Sequence, residues 1–243
     1  MKVETIFAGA TGTLSQDRKP VTVARRLIRY ALVIGAMRFP LGGFKTKAGR
    51  LTPHFFDASH FSQGKDWDEL AKAFAAVIAA NFEQLGQPEA LFGPAYKGIP
   101  IATAVALVLY RDYGISLEVV FDRKEAKDHG EGGDLIGKPI KGRRVLLLDD
   151  VLSTGKAKRE AAALIRTHEG TLVGCVIALD RQERDGDDTI SAVQRFAQDA
   201  QIPVIAVATL DDLIIELEEG STVVDSAAKL AEVLAYRDQY GVD

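Results

Sequence analysis

The stretch VLLLDDVLSTGKAKREA, Val145 to Ala161, constrains this chain more than any other. An apolar run enters two adjacent aspartates, then a loop of small residues, then a charged helical start. This order predicts a buried strand, a turn at the sheet edge and a helix. In open α/β sheets the ligand crevice lies outside the carboxyl ends of the strands, so Asp149 and Asp150 belong at its edge. Ser153, Thr154 and Gly155 then present backbone N–H groups at a helix N-terminus, a setting suited to a phosphate. Two carboxylates would repel that phosphate, so they must face ribose hydroxyls, which donate hydrogen bonds, or a magnesium ion. A phosphorylated sugar satisfies both halves of the motif. An ordinary capped turn would leave the doubled acidic pair unexplained.

The same alternation of apolar run, loop and helical period extends from Ala90 to Ala208. Five candidate strands result: Ala90–Gly93, Leu117–Asp122, Val145–Leu148, Leu172–Leu179 and Val204–Ala208. They lack the polar alternation of half-exposed strands, which predicts a parallel sheet covered by helices on both faces. Trp67, Leu70, Phe74, Val77, Ile78, Phe82 and Leu85 recur at helical spacing, and Asp66 with Glu69 resembles a capping box. Further helices are expected over Ile99–Tyr113 and Lys156–His168, with Gly114 and Gly170 as stop signals. Residues 1–65 do not share this rhythm. They read as an accessory lobe with a helix over Val21–Met37, ahead of a core at 66–221. A tail at 222–243 carries a final helix, Asp225–Tyr236, that packs on either lobe or core.

Composition narrows the function. Of 243 residues, 47% are hydrophobic and 26% charged, values of a globular chain rather than a disordered one. The 30 basic and 34 acidic residues give a net charge of −4, so no global field gathers nucleic acid and an anionic ligand needs a local site. The longest apolar run, Tyr30–Met37, lies between Arg29 and Arg38 and is far short of the ~20 residues of a membrane span. Lys2 and Glu4 with no sustained apolar stretch argue against a secretory leader, so a cytoplasmic location is expected. Cys175 is the only cysteine, and its setting in TLVGCVIAL reads as buried strand. His54, His60 and His168 are too scattered for a metal site. Gly132, Gly137 and Lys138 imitate a P-loop, but Pro139 replaces its Ser or Thr and no apolar strand precedes it. Gly130, Gly132 and Gly133 miss the dinucleotide spacing because Leu135 stands where the last glycine belongs.

Three more segments reach the same sheet edge. In ALFGPAYKGIP the strand breaks at Gly93 and Pro94, and Lys97 adds a point charge to a second anion cradle, unless it is a solvated lysine on a turn. DRKEAKDHGEGG, Asp122 to Gly133, has almost nothing apolar and reads as a mobile surface loop. It is either a plain connection or a lid whose Arg123, Lys124, Lys127 and His129 close over a polyanion. In LDRQER, Arg181 follows a strand and is either a plain surface arginine or a guanidinium placed to grip a carboxylate. Phe55 and Phe56 are either core of the lobe or a stacking platform.

VLLLDDVLSTGKAKRE resembles the phosphoribosyl diphosphate (PRPP) motif of the type I phosphoribosyltransferases. GPAYKGIPIA, DRKEAKDHGEGG, LDRQER and the early FKTKAGRLTPHFF are similar to the orotate-specific branch of that family, in order from about Gly43 to Asp243. The resemblance implies an α/β fold with a five-stranded parallel sheet flanked by helices, under a small N-terminal hood. It implies transfer of phosphoribose from PRPP to orotate, in de novo pyrimidine synthesis, with magnesium held through PRPP and no direct protein ligand. It also implies a homodimer whose lids reach across the interface. By the same resemblance Asp149 and Asp150 hold the ribose hydroxyls, with Val151 and Leu152 beside them, and Ser153, Thr154, Gly155, Lys156 and Ala157 cradle the 5′-phosphate. Tyr96, Lys97, Arg123 and Lys124 meet the diphosphate, Lys47 is a further PRPP contact, and Lys127, His129 and Glu131 form the closing catalytic loop. Orotate lies against Phe55 and Phe56, with Ser153 and Arg181 on its polar edge. The chain departs from a common form of the motif, where Thr, Ala and Thr stand at Ser153, Thr154 and Lys156, and it has His54 where Tyr is frequent. The rivals are transfer to another base, which offers Arg181 no carboxylate, and a PRPP-sensing regulator, which should carry a DNA-reading helix or basic face.

Overall fold

The computed structural model describes residues 22–46, 49–127, 133–152, 156–186, 188–220 and 223–242, with the backbone alone at 124–127 and 156–157. Thr22 caps α1 (Val23–Val33), its hydroxyl accepting the Arg25 N–H at 3.3 Å. The helix ends short of the expected Met37 because Gly35 turns the chain at φ 73°, a conformation that glycine adopts without strain. Met37 is thereby released into β1 (Met37–Arg38). A second short ribbon pairs β2 (Phe44–Lys45) with β3 (Leu51–Thr52), and β1 itself pairs antiparallel with β4 (Phe55–Phe56).

After a 3-10 turn, Ala58–His60, comes α2 (Gly64–Ala80). Asp66 does cap this helix, but its partner is Gln63 rather than Glu69. Its carboxylate accepts the Gln63 N–H at 2.9 Å, the Ser62 N–H at 3.2 Å and the Tyr30 hydroxyl at 2.7 Å, which ties α1 to the start of α2.

The remaining elements are β5 (Ala90–Phe92), α3 (Gly98–Tyr113), β6 (Glu118–Lys127), β7 (Gly133–Ile136), β8 (Arg144–Val151), α4 (Lys156–Thr167), β9 (Thr171–Asp180), α5 (Ala192–Ala200), β10 (Val204–Thr209), α6 (Leu210–Glu218) and α7 (Ser226–Tyr240). The five expected strands run parallel in the order β10, β9, β8, β5, β6. A sixth, β7, joins antiparallel at the edge, so the sheet is mostly rather than wholly parallel.

That edge corrects the reading of 122–133 as loop throughout. β6 continues to Lys127, and Phe121, Asp122 and Lys127 pair with Ile136, Leu135 and Gly133. A charged segment without core-forming residues can satisfy its backbone N–H and C=O groups in such a ribbon and leave its side chains outside the core.

Successive strand residues point to opposite faces, and each face has its own core. Leu91, Leu146, Leu148 and Val176 pack with α1, α2, α3 and α6, and the buried Phe56 of β4 joins the same cluster. Phe92, Leu147, Cys175 and Ile177 pack on the opposite face with Ile165 of α4 and Phe196 of α5. Cys175 is fully buried there, and burial pushes its thiol up to about 12. The tail helix α7 runs beyond the expected Tyr236 and touches both candidates: it packs on α6, and it sets Tyr236 edge-on to His54 at 5.8 Å. Among the described residues no helix is long and apolar enough to cross a membrane.

The loop after β5 depends on two glycines lying backbone to backbone. A Cβ at Gly93 would stand 2.2 Å from the Gly98 carbonyl oxygen, closer than real contacts allow. Gly93→Ala should therefore force strand and helix apart at a cost of about 1–3 kcal/mol or more. A denaturation midpoint equal to that of the unmodified protein would show that the loop has room.

Candidate active site

The carboxyl ends of β5, β6, β8 and β9 surround a crevice of about 660 Å³, roofed by the two ribbons. β8 ends in Asp149, Asp150 and Val151, followed by Leu152. The β5–α3 loop brings Tyr96 and Lys97, β6 brings Arg123, and Arg181 follows β9. Phe55 and Phe56 come from β4, and all ten of these residues line the crevice. Within the aromatic pair the two roles divide. Phe56 is buried core, whereas Phe55 packs tilted against Phe44 with ring centroids 4.0 Å apart and the Arg38 guanidinium 5.3 Å from its own centroid.

Lys124 and Lys127 lie in the backbone of β6, and Lys156 and Ala157 in that of α4. Lys47, His129, Glu131, Ser153, Thr154 and Gly155 lie outside the described residues.

Both acidic side chains are buried at the end of β8, and each faces an ammonium from another element. Asp150 meets Lys97 at 3.0 Å. Asp149 is ion-paired with Lys158 of α4 and accepts the Asp150 N–H at 2.8 Å. Burial pushes the Asp149 carboxyl up, the Lys158 charge opposes that rise, and the neighbouring Asp150 adds to it. Burial works against the Lys97 charge, but Asp150 and Asp57 hold its ammonium above the ordinary range. Asp57, 3.2 Å from Lys97, also pairs with Arg38 at 3.2 Å. The Asp122 carboxylate accepts the Ala95 N–H at 2.5 Å and ties the Lys97 loop to β6.

Lys158 is a site residue that sequence reasoning missed, as are Asp57, Arg50 and Glu183. Lys158 sits among charged residues that look like a solvated helix start. A signal exists nonetheless, because Lys158 precedes Ala161, Ala162 and Ile165 at helical spacing and so lies on the buried stripe of α4.

At the other end of the crevice Arg181 approaches Glu183 at 3.5 Å, and both are largely buried. His54 lies fully buried beside them, its Nε2 4.0 Å from Glu183 and its Nδ1 3.3 Å from the Thr52 hydroxyl. The Nε atoms of Arg181 and His54 have no hydrogen-bond partner among the described residues. Burial pushes the Glu183 carboxyl up, while the Arg181 and Arg50 charges resist. Arg50 crosses from the ribbon to the carbonyls of Arg184, at 2.6 Å, and Gly186, and its guanidinium stacks on Tyr240 of α7. This end thus joins ribbon, post-β9 loop and C-terminal helix. Elsewhere His168 pairs with Asp134 at 2.6 Å, and among the described residues no group of three or more His, Cys, Asp or Glu could hold a metal ion.

The sequence profile of the phosphoribosyl transferase domain matches residues 62–212. An orotate phosphoribosyltransferase of Xanthomonas oryzae pv. oryzae is 48% identical over 219 residues, covering 90% of this chain and 96% of the relative. The chain belongs to the orotate phosphoribosyltransferase family. Another member, from Actinobacillus succinogenes, is 46% identical over 215 residues, covering 88% of this chain and 96% of its own. The crystal structure of the Francisella tularensis orotate phosphoribosyltransferase superimposes with a TM-score of 0.75 at 34% identity, covering 88% of this chain and 98% of that one. The matched domain takes in both lysine–aspartate pairs. The ribbons and α7, which complete the Arg181 end, lie outside it.

His54 gives that end a pH signature. Burial, then the Arg181 charge, lowers its pKa from 6.5 to about 3, so it is neutral in the folded protein. A folded pKa below the unfolded one means that its contribution is complete above the unfolded pKa and is lost as pH falls toward the folded value. Between about pH 7.5 and 5.5 this residue should cost ~1.4 kcal/mol, or about 3–6 °C in Tm. His54→Gln should shrink the difference in Tm between those pH values by that amount. An undiminished difference would show that His54 takes up its proton in the folded state.

Proposed function

We propose that this crevice transfers phosphoribose from PRPP to N1 of orotate, giving orotidine 5′-monophosphate and diphosphate in de novo pyrimidine synthesis. The observation that carries the reading is the meeting of the buried Asp149–Asp150 pair, Lys97 and Arg181 in one crevice. The two carboxylates accept the ribose hydroxyls, a role that leaves the phosphate to backbone N–H groups of 153–157 at the start of α4. Tyr96, Lys97, Arg123 and Lys124, with Lys47, meet the diphosphate. Arg181 and Ser153 bind the polar edge of orotate, and Phe55 and Phe56 form its apolar wall. Glu183 meets only one side of the Arg181 guanidinium, whose Nε–H has no partner among the described residues; an uncharged base would offer it no carboxylate, which favours orotate over other bases.

The bond from C1′ to the diphosphate oxygen breaks with its electron pair going to the diphosphate, and the new bond forms between N1 of orotate and C1′. Positive charge grows on the sugar and negative charge on the leaving group, so the lysines serve by stabilising the departing anion. Lys127 at the end of β6 and His129 beyond it add donors to the leaving group, and together with Glu131 they exclude water. Magnesium fits as an ion carried by PRPP oxygens: Asp149 and Asp150 already face lysines, and the site supplies oxygen donors rather than soft ligands. Bound there, it would neutralise diphosphate charge. The protein belongs in the cytoplasm on this reading.

A homodimer with lids shared between sites is part of the proposal. Its support is α3, where Leu107 and Tyr110 stand 63% and 64% exposed one turn apart. Leu107→Glu should shift the protein toward monomer in sedimentation and lower its activity. An unchanged sedimentation profile would move the interface elsewhere.

Loss of orotate absorbance that requires both PRPP and magnesium tests the reaction, with adenine, hypoxanthine and uracil in parallel. PRPP binding without turnover of any base would favour the sensor instead. Lys127→Ala should lower turnover by about 10²-fold or more with the fold intact, the scale of one preorganised donor. Near-normal turnover would remove Lys127 from the mechanism.

A further inference from the structure

We propose that Lys158 is a positioning residue for PRPP: it fixes the Asp149 carboxylate and clamps the end of β8 to the first turn of α4, and so sets the affinity for the ribose. The inference rests on the reading of Asp149 and Asp150 as the ribose site. An ammonium buried on an apolar helix stripe is costly unless it is paired and hydrogen-bonded. Lys158 meets both conditions with partners from a single place. Its side chain is 8% exposed, ion-paired with Asp149 and hydrogen-bonded to the Val151 carbonyl at 2.7 Å. Both partners lie at the end of β8, whereas Lys158 lies in α4, so one side chain spans the two arms of the phosphate motif.

The consequence for Asp149 is geometric. One of its oxygens accepts the Asp150 N–H and the other meets Lys158, which sets the carboxylate plane and leaves the remaining lone pairs for hydroxyl donors. The two lysines of the pair differ in what they can do. Lys97 is 47% exposed and sits on a loop beside the crevice, placed to trade Asp150 for an incoming diphosphate. Lys158 is buried and stays with Asp149. When Lys97 turns to the diphosphate, Lys158 keeps positive charge against two adjacent carboxylates whose mutual repulsion would otherwise favour protonation of one.

Lys158→Met keeps the stem and removes the charge. With magnesium present, calorimetric PRPP binding and steady-state kinetics should show the Kd and KM for PRPP raised by about 10- to 100-fold, the scale of one charge-assisted hydrogen bond. The KM for orotate should stay within about twofold, because Arg181 and the aromatic wall are untouched. In an Asp149→Asn background the same substitution should add less than about threefold, since its charged partner is gone. The Asp149→Asn, Lys158→Met double variant buries no unpaired charge, so its comparison with Asp149→Asn decides the matter if the single Lys158 variant does not fold. PRPP affinity within twofold of the unmodified protein, equal rises in KM for both substrates, or multiplied losses in the double variant would each overturn the inference while the parent enzyme stays active. A parent protein that fails to bind PRPP would overturn the ribose reading as well.

Discussion

Two carboxylates side by side at the end of a buried strand are the constraint from which the rest of the crevice follows. Neither water nor a single cation relieves their charge, because the sheet buries both. The fold answers with two ammonium groups from opposite sides, Lys97 from the β5–α3 loop and Lys158 from α4. This solution fixes three elements together. The β5–α3 loop must pass close enough for Lys97 to reach, which the backbone contact between Gly93 and Gly98 permits. The helix α4 must start where its third residue can turn back to the strand it follows. The apolar faces of β8, packed into separate cores above and below, hold the acidic pair still while these cations approach.

The second feature is the distribution of charge around the crevice in a chain that is acidic overall. Lys97 and Arg123 gather on the side of β5 and β6, and Arg181 with Arg50 on the side of β9, while Phe44 and Phe55 supply an apolar wall between hood ribbon and crevice. Cationic side chains thus stand at particular points of a crevice whose lining also carries acidic ones. Arg181 is steadied by Glu183, and the neutral His54 contributes bulk and hydrogen-bonding capacity without adding charge beside it.

The parallel strands are legible in the sequence because burial on both faces leaves unbroken runs of Val, Leu and Ile, and the acidic pair because it interrupts such a run. The β6–β7 ribbon is not, since Lys, Asp and Gly carry no strand pattern and pairing with Leu135 and Ile136 decides it. The short helix α1 stops early for a single glycine whose backbone angle no hydrophobic period reports. Lys158 is hidden by its charged neighbours. The contacts of Arg181 with Glu183, of His54 with Tyr236 and of Arg50 with Tyr240 join segments far apart in the chain, and spacing alone does not bring such partners together.

That difference in legibility reflects how the two ends of the crevice are built. The end around the acidic pair is mostly local: Asp149 and Asp150 end β8 and Lys158 lies in the first turn of α4, while Lys97 reaches them from the β5–α3 loop. The end beside Arg181 is assembled from the ribbon at 50–56, the loop at 181–186 and the last turns of α7. A local unit has its geometry set by one strand and one helix. The assembled end depends on every element that contributes to it: ribbon, post-β9 loop and C-terminal helix. The two ends of the crevice are thus physically distinct in this fold, with the acidic pair written in a continuous stretch and the surroundings of Arg181 in tertiary contacts.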